Sequence, residues 1–217
     1  MTERSIREMI CEVGRRLYSR GLVAATEGNI SYRLAANEIL CTPCMLCKGF
    51  LRCEDLCMVD LEGNQLSGDR PRTSEIRLHL AIYKHRPEIN AVVHSHPPHA
   101  TAFAITRTPI PTGIHPEFEY FLGPVPLTPY ATPGTAEFAE TIVPFLDRTN
   151  TLLLASHGTV SFAADLMHAL YLTEILDAYC RLLLLAKPLG PPAKLTEQQV
   201  AELLALKRTA GYDDSRL

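Results

Sequence analysis

The 217-residue chain has no long hydrophobic run and no concentrated positive charge. Its longest uninterrupted apolar stretch, Leu182–Ala186, is far shorter than the roughly 20 residues needed to cross a bilayer. The opening MTERSIREMI carries charges where a secretory leader needs an apolar segment, so a cytoplasmic protein is expected. Lys and Arg form no cluster longer than a pair such as Arg15-Arg16, the net charge is −3 and the pI is about 6.2. Nucleic acids and anionic membranes select for dense positive charge, so neither is expected as a partner. Internal repeats and low-complexity segments are also missing. What is present is ordinary globular composition, 47% hydrophobic and 21% charged, enough for one core spanning residues 1–217.

Five of the seven cysteines fall in CTPCMLCKGFLRCEDLC, residues 41–57. An odd number in a reducing compartment argues against a disulfide framework. The spacing fails the bacterial ferredoxin run, because Cys53 comes too late and is followed by Glu54. A zinc site on Cys41, Cys44, Cys47 and Cys53 remains open at this point, against the simpler reading of small buried apolar fillers.

Periodicity predicts a helix over 4–20, ended by Gly21. Strand-like stretches follow at 26–33, 38–41 and 56–63. A helix over 75–85 has Thr73 or Ser74 as its cap, and AVVHSH (91–96) is a strand stopped by Pro97-Pro98. The Pro- and Gly-rich stretch 100–134 is expected to hold loops and short strands. A helix starts at Thr135, and two buried strands flank His157-Gly158 within 151–163. A long helix covers about 165–187. TEQQ (196–199) is a capping box opening a last helix to about 208, within a C-terminal segment of about 195–217. Helices interleaved with strands give an α/β class with one mixed or antiparallel sheet.

The strongest chemical signal is His94-Ser95-His96. Alternate side chains on a strand share a face, so both imidazoles project together and can hold one divalent ion. The third ligand is either His99 or His157, the latter at a turn after a buried apolar run. Three protein ligands leave the open coordination position typical of a catalytic site. Such a site needs a proton handler, and Glu75, at a helix start, is a candidate. Gly28, with Asn29 and Ser31, offers close backbone approach and side-chain donors for an anion.

In order along the chain, Gly28-Asn29-x-Ser31, Thr42-Pro43, Ser74-Glu75, His94-x-His96, Pro129-Tyr130-Ala131-Thr132 and His157-Gly158 resemble the class II aldolase/adducin family, over about residues 4–208. The resemblance implies a single three-layer α/β/α domain with a central, mostly antiparallel sheet, assembled as a homotetramer. It implies His94, His96 and His157, rather than His99, as ligands of Zn2+ or another divalent metal. It implies Glu75 as catalytic acid/base and Gly28, Asn29, Thr73 and Ser74 as substrate-binding, with Lys48 adding charge. The implied activity is cleavage of a small hydroxy-ketone, ketose or sugar phosphate through an enediolate. Decarboxylation or epimerisation of a related sugar phosphate is the alternative, and a non-enzymatic adducin-head-like module a third reading.

The chain departs from the family where Cys44-Met45 replace the Ser/Thr-Gly that follows Thr-Pro in phosphate-sugar members. Glu75 stands where the epimerase branch carries Asp, which favours cleavage. The loop cysteines are then read as pocket-wall and core residues. His115 and Glu117 in IHPEFEYF are candidate substrate contacts, and Tyr212 in the tail is a candidate proton donor.

Overall fold

A computed structural model describes residues 2–211 and residue 216. The chain opens with helix α1 (Glu3–Ser19), whose N-cap Thr2 accepts a hydrogen bond from the Ser5 amide. Its buried residues Ile6, Ile10, Val13 and Leu17 recur at helical spacing, so one face is apolar. Seven strands form one sheet: β1 (Asn29–Ala35), β2 (Glu38–Cys41), β3 (Cys57–Val59), β4 (Gln65–Ser67), β5 (Ala91–Ser95), β6 (Thr151–Leu154) and β7 (Gly158–Ala163). Their order is β4-β3-β2-β1-β5-β7-β6, and every pair of neighbouring strands is antiparallel.

Strand alternation sorts the core into two layers. Ile39, Val92, Val160 and Phe162 pack with α2 (Ile76–His85) and α5 (Ala136–Glu140). Leu40, Ala91, Val93 and Ala163 face the opposite way, against α1 and the long α6 (Leu166–Ala186). Helices therefore cover both faces of an antiparallel sheet, the expected three-layer arrangement. The last helix, α7 (Glu197–Thr209), opens with the predicted capping box between Thr196 and Gln199.

The stretch 100–134 departs from expectation. It carries α3 (Pro98–Thr106) and α4 (Pro116–Phe121). Pro98 lies past the end of β5, as expected, and also begins α3, while Pro116, expected in a loop, begins α4; at such positions a missing N–H costs nothing and φ is already helical. The single strand expected over 56–63 is shorter, and a turn at 60–64 leads into β4. Helix α2 begins one residue past Glu75, which occupies its N-cap position without a capping side-chain bond.

Candidate metal centre

The sheet delivers the site from its central strands. His94, near the end of β5, shares the face of Val92 and pairs in register with Asn29 on β1 and Val160 on β7. His96 follows two residues on, and His157 sits in the β6–β7 turn, where its amide bonds to the Leu154 carbonyl. Gly158 permits this closure. A Cβ there would come within 2.5 Å of both the Ser95 carbonyl oxygen and the His96 ring.

The three imidazoles converge. His94 Nε2 lies 3.1 Å from His96 Nε2 and 3.1 Å from His157 Nε2, and one ligand atom from each residue falls within 4.8 Å of the others. The His94 and His157 rings stack with centroids 4.9 Å apart. His94 Nδ1 donates to the Thr159 carbonyl at 2.8 Å, since a carbonyl only accepts. With Nδ1 carrying a proton, the lone pair of the neutral ring is on Nε2, facing the other rings, while burial is outweighed by the Glu75 carboxylate, which raises the pKa of this imidazole and favours its charged form until a cation takes the proton's place. Burial, reinforced by the positive charge of protonated His94 and His157, pushes His96 down to about 4, so His96 presents a neutral ring. Tetrahedral zinc with Zn–N of about 2.0–2.1 Å spaces its nitrogens roughly 3.4 Å apart, so these residues fit a three-nitrogen cation site.

Glu75 faces the same point. Its Oε1 is 3.0 Å from His157 Nε2 and its Oε2 is 3.2 Å from His94 Nε2. Asn29 Nδ2 donates to Oε2 at 2.8 Å. Burial alone would raise the Glu75 pKa, but His94 and His157 outweigh it and hold the carboxyl far below its usual range. Glu75 is thus an ionised, nearly buried carboxylate beside three imidazoles.

Two loops lie near this cluster. Gly28 has φ +70°, and a Cβ on it would sit 2.9 Å from the His94 carbonyl. The 42–44 loop lies against 71–73: the Thr73 amide bonds to the Thr42 carbonyl and the Cys44 amide to that of Pro71. Thr73 is buried, and Ser74 beside it is exposed. Met45 adopts φ +52° while 82% exposed, a left-handed conformation suited to glycine. Lys48 is buried, and its ammonium donates to the Thr26 and Leu46 carbonyls at 2.9 and 2.6 Å. Its charge therefore sits at the base of both loops, tying them together, and burial lowers its pKa to about 8.

Other candidates sit elsewhere or are otherwise engaged. His99 starts α3 and pairs with Asp177 at 2.8 Å, apart from the triad. Ser31, read as an anion donor, is fully buried and bonds to His79 and Tyr83 on α2. His115 precedes α4, 3.3 Å from Glu117 and beside the Tyr179 ring. Tyr212 lies outside the described residues. Cys41, Cys57, Cys11 and Cys180 are buried; Cys44, Cys47 and Cys53 are half-buried; all seven are free thiols. Sequence reading missed His79 and Glu27. His79 follows Glu75 by four residues on one helix face, a spacing that was available as a signal. Glu27 lies 3.5 Å from His96 Nδ1 and has no such signature.

A sheet-borne histidine triad facing a buried carboxylate is the scaffold of a metal-dependent enzyme. The chain belongs to the class II aldolase family: residues 8–184 match the Class II Aldolase and Adducin N-terminal domain. It is 36% identical to a 3-oxo-tetronate 4-phosphate decarboxylase of Haemophilus influenzae, over 84% of this chain and 88% of that protein. It is equally 36% identical to an L-fuculose phosphate aldolase of Methanococcus maripaludis, over 79% of this chain and 92% of the relative. Among solved structures, an L-fuculose 1-phosphate aldolase superposes with a TM-score of 0.87 at 27% identity, covering 96% of this chain and 99% of that one. No helix among the described residues is long and apolar enough to cross a membrane.

Proposed function

We propose that this protein is a divalent-metal lyase that breaks a carbon–carbon bond next to the keto group of a short phosphorylated sugar or sugar acid. The observation that carries this reading is the convergence of His94, His96 and His157 with the Glu75 carboxylate. A divalent cation held by the three histidines, zinc foremost, supplies Lewis acidity to a substrate carbonyl and its neighbouring hydroxyl. Glu75, ionised and within reach of that position, first takes a proton, from the hydroxyl that becomes the aldehyde in aldol cleavage or from solvent in decarboxylation, and then gives it to the carbon that keeps the electron pair. Asn29 holds one oxygen of Glu75 and so limits its swing. The backbone at Gly28, with Thr73 and Ser74, lines the anion side of the pocket, and Lys48 adds positive charge below it.

Two leaving groups fit this chemistry. Aldol cleavage expels an aldehyde; decarboxylation of a 3-oxo acid phosphate expels carbon dioxide. Both leave the electron pair on the carbon beside the carbonyl, so one acid/base carboxylate serves either. The aldol reading follows from Glu75 and the overall resemblance; the similarity to the named decarboxylase favours the second equally. His115 and Glu117 remain proposed substrate contacts, Tyr212 a proposed proton donor, and a cytoplasmic homotetramer the proposed working form. Metal-loaded protein incubated with phosphorylated ketoses and with a 3-oxo sugar-acid phosphate decides between them. Aldehyde release establishes the aldolase, carbon dioxide release the decarboxylase, and turnover of neither class overturns the lyase reading.

A further inference from the structure

Behind Glu75 runs a buried line of hydrogen bonds. Glu75, His79 and Tyr83 occur every fourth residue, so they form one stripe along α2 from its N-cap. Asn29 and Ser31 alternate onto the facing side of β1. The two stripes interlock. Tyr83 Oη is 2.7 Å from Ser31 Oγ, Ser31 Oγ is 2.7 Å from His79 Nδ1, and His79 Nε2 is 2.5 Å from Asn29 Oδ1. Asn29 Nδ2 completes the line at Glu75 Oε2, 2.8 Å away. Ser31 and His79 are fully buried, Tyr83 is 1% exposed and Asn29 4%.

The chemistry of each group fixes the direction of the bonds from Glu75 to Ser31. A carboxylate only accepts, so the Asn29 amide turns its NH2 toward Glu75 and its oxygen toward His79. An amide oxygen only accepts, so His79 carries its proton on Nε2. Nδ1 is then bare and accepts from the Ser31 hydroxyl; the single Tyr83 hydroxyl proton has two acceptors, Ser31 Oγ at 2.7 Å and the Asn90 carbonyl at 3.3 Å. Burial pushes His79 down to about 3, consistent with a neutral ring that has one donor and one acceptor.

We propose that His79 is a positioning residue for the acid/base carboxylate. It holds the Asn29 amide with its N–H on Glu75 throughout turnover. The inference rests on the lyase reading, in which Glu75 is the acid/base carboxylate. Asn29 meets Glu75 through one hydrogen bond, and His79 Nε2, 2.5 Å from Asn29 Oδ1, fixes the other end of the same amide. His79, with Nδ1 occupied by Ser31, offers Asn29 only an N–H. A flipped amide would set donor against donor in a dry site, a costly arrangement. The relay therefore keeps the Asn29 N–H, and with it Glu75 Oε2, in one place.

The test compares His79→Leu, which removes the donor, with His79→Gln, whose side-chain NH2 can reach the place of Nε2–H. His79→Leu is expected to lose tenfold or more in kcat, with KM changed less than threefold and bound metal unchanged. His79→Gln is expected to recover most of that loss. Wild-type kcat in His79→Leu, equal impairment of both variants, or a loss confined to KM would each overturn the proposal. A readout independent of turnover uses 15N-labelled wild-type protein at neutral pH. There His79 is expected as the Nε2–H tautomer with slow exchange of the Asn29 side-chain amide; an Nδ1–H tautomer overturns the proposal even where the variants do not fold. If the wild-type protein cleaves no substrate, the lyase reading fails alone, and the tautomer and amide exchange still judge the relay.

Discussion

His157 and Glu75 are 82 positions apart in the chain, yet His157 Nε2 lies 3.0 Å from Glu75 Oε1. The contact joins the β6–β7 turn to the start of α2 across the top of β5. It brings the ligand set and the acid/base group together, and most of the expected behaviour follows from it.

Glu75→Gln removes the proton carrier but keeps a similar shape and the contact with Asn29. Turnover is expected to fall by about 10²–10⁴, the usual contribution of a positioned acid/base. Metal content, read by elemental analysis of the purified variant, is expected to match the wild type. A rate near the wild-type value would remove Glu75 from the chemistry.

His157→Ala takes away one of three nitrogens while leaving the strand pair intact. Metal stoichiometry and activity are expected to fall together, and His99→Ala is expected to leave metal content unchanged, because His99 is paired with Asp177. Dialysis against a chelator followed by reloading should abolish and then restore turnover in the wild type. Full metal occupancy in His157→Ala would show that the triad is not the ligand set.

Gly158→Ala forces a methyl group to within 2.5 Å of the Ser95 carbonyl oxygen. Backbone cannot yield as a flexible side chain does, so the β5–β7 pair must shift and carry His96 with it. The expected cost is about 1–3 kcal/mol in urea unfolding, together with weaker metal retention. An unchanged unfolding midpoint would mean the turn has more room than its geometry indicates.

Met45→Gly relieves a left-handed residue whose side chain is exposed. The strain at such a position is about 1–2 kcal/mol, partly offset by the greater unfolded-state freedom of glycine. A rise of up to about 1 kcal/mol in unfolding free energy is expected, and a loss would contradict the strain.

The pH dependence of stability has a definite sign at His79. Its folded pKa, about 3, is below the ordinary 6.5, so the unfolded chain binds its proton first as pH falls. Its contribution is intact above about pH 6.5 and is lost progressively from there toward 3, at up to about 1.4 kcal/mol per pH unit. His79→Gln is expected to be less stable at pH 7.5 but to show a shallower decline between pH 6 and 4. Parallel curves for the two proteins would exclude this titration.

Several elements could be read directly from the sequence because they are local. The apolar spacing of α1, the Thr196–Gln199 capping box and the alternation that aims His94 toward α2 each depend on only a few neighbouring residues. The helices α3 and α4 escaped because proline punctuates chains in two ways, and only the packing of Phe103 and Phe118 into the α6 side of the core shows which applies. His79 escaped because a histidine on an apolar helix face reads as core until its strand partners are known.

The amino-acid order alone fixed the residue types, the paired histidines on one strand face and a carboxylate at a helix start. The family resemblance already named His157 rather than His99; retiring Ser31 behind Glu75 and recruiting His79 required the sheet and α2 to bring β1 against that helix. Such pairings join segments dozens of residues apart, where hydrophobic burial of the whole sheet, rather than any local preference, selects which side chains meet.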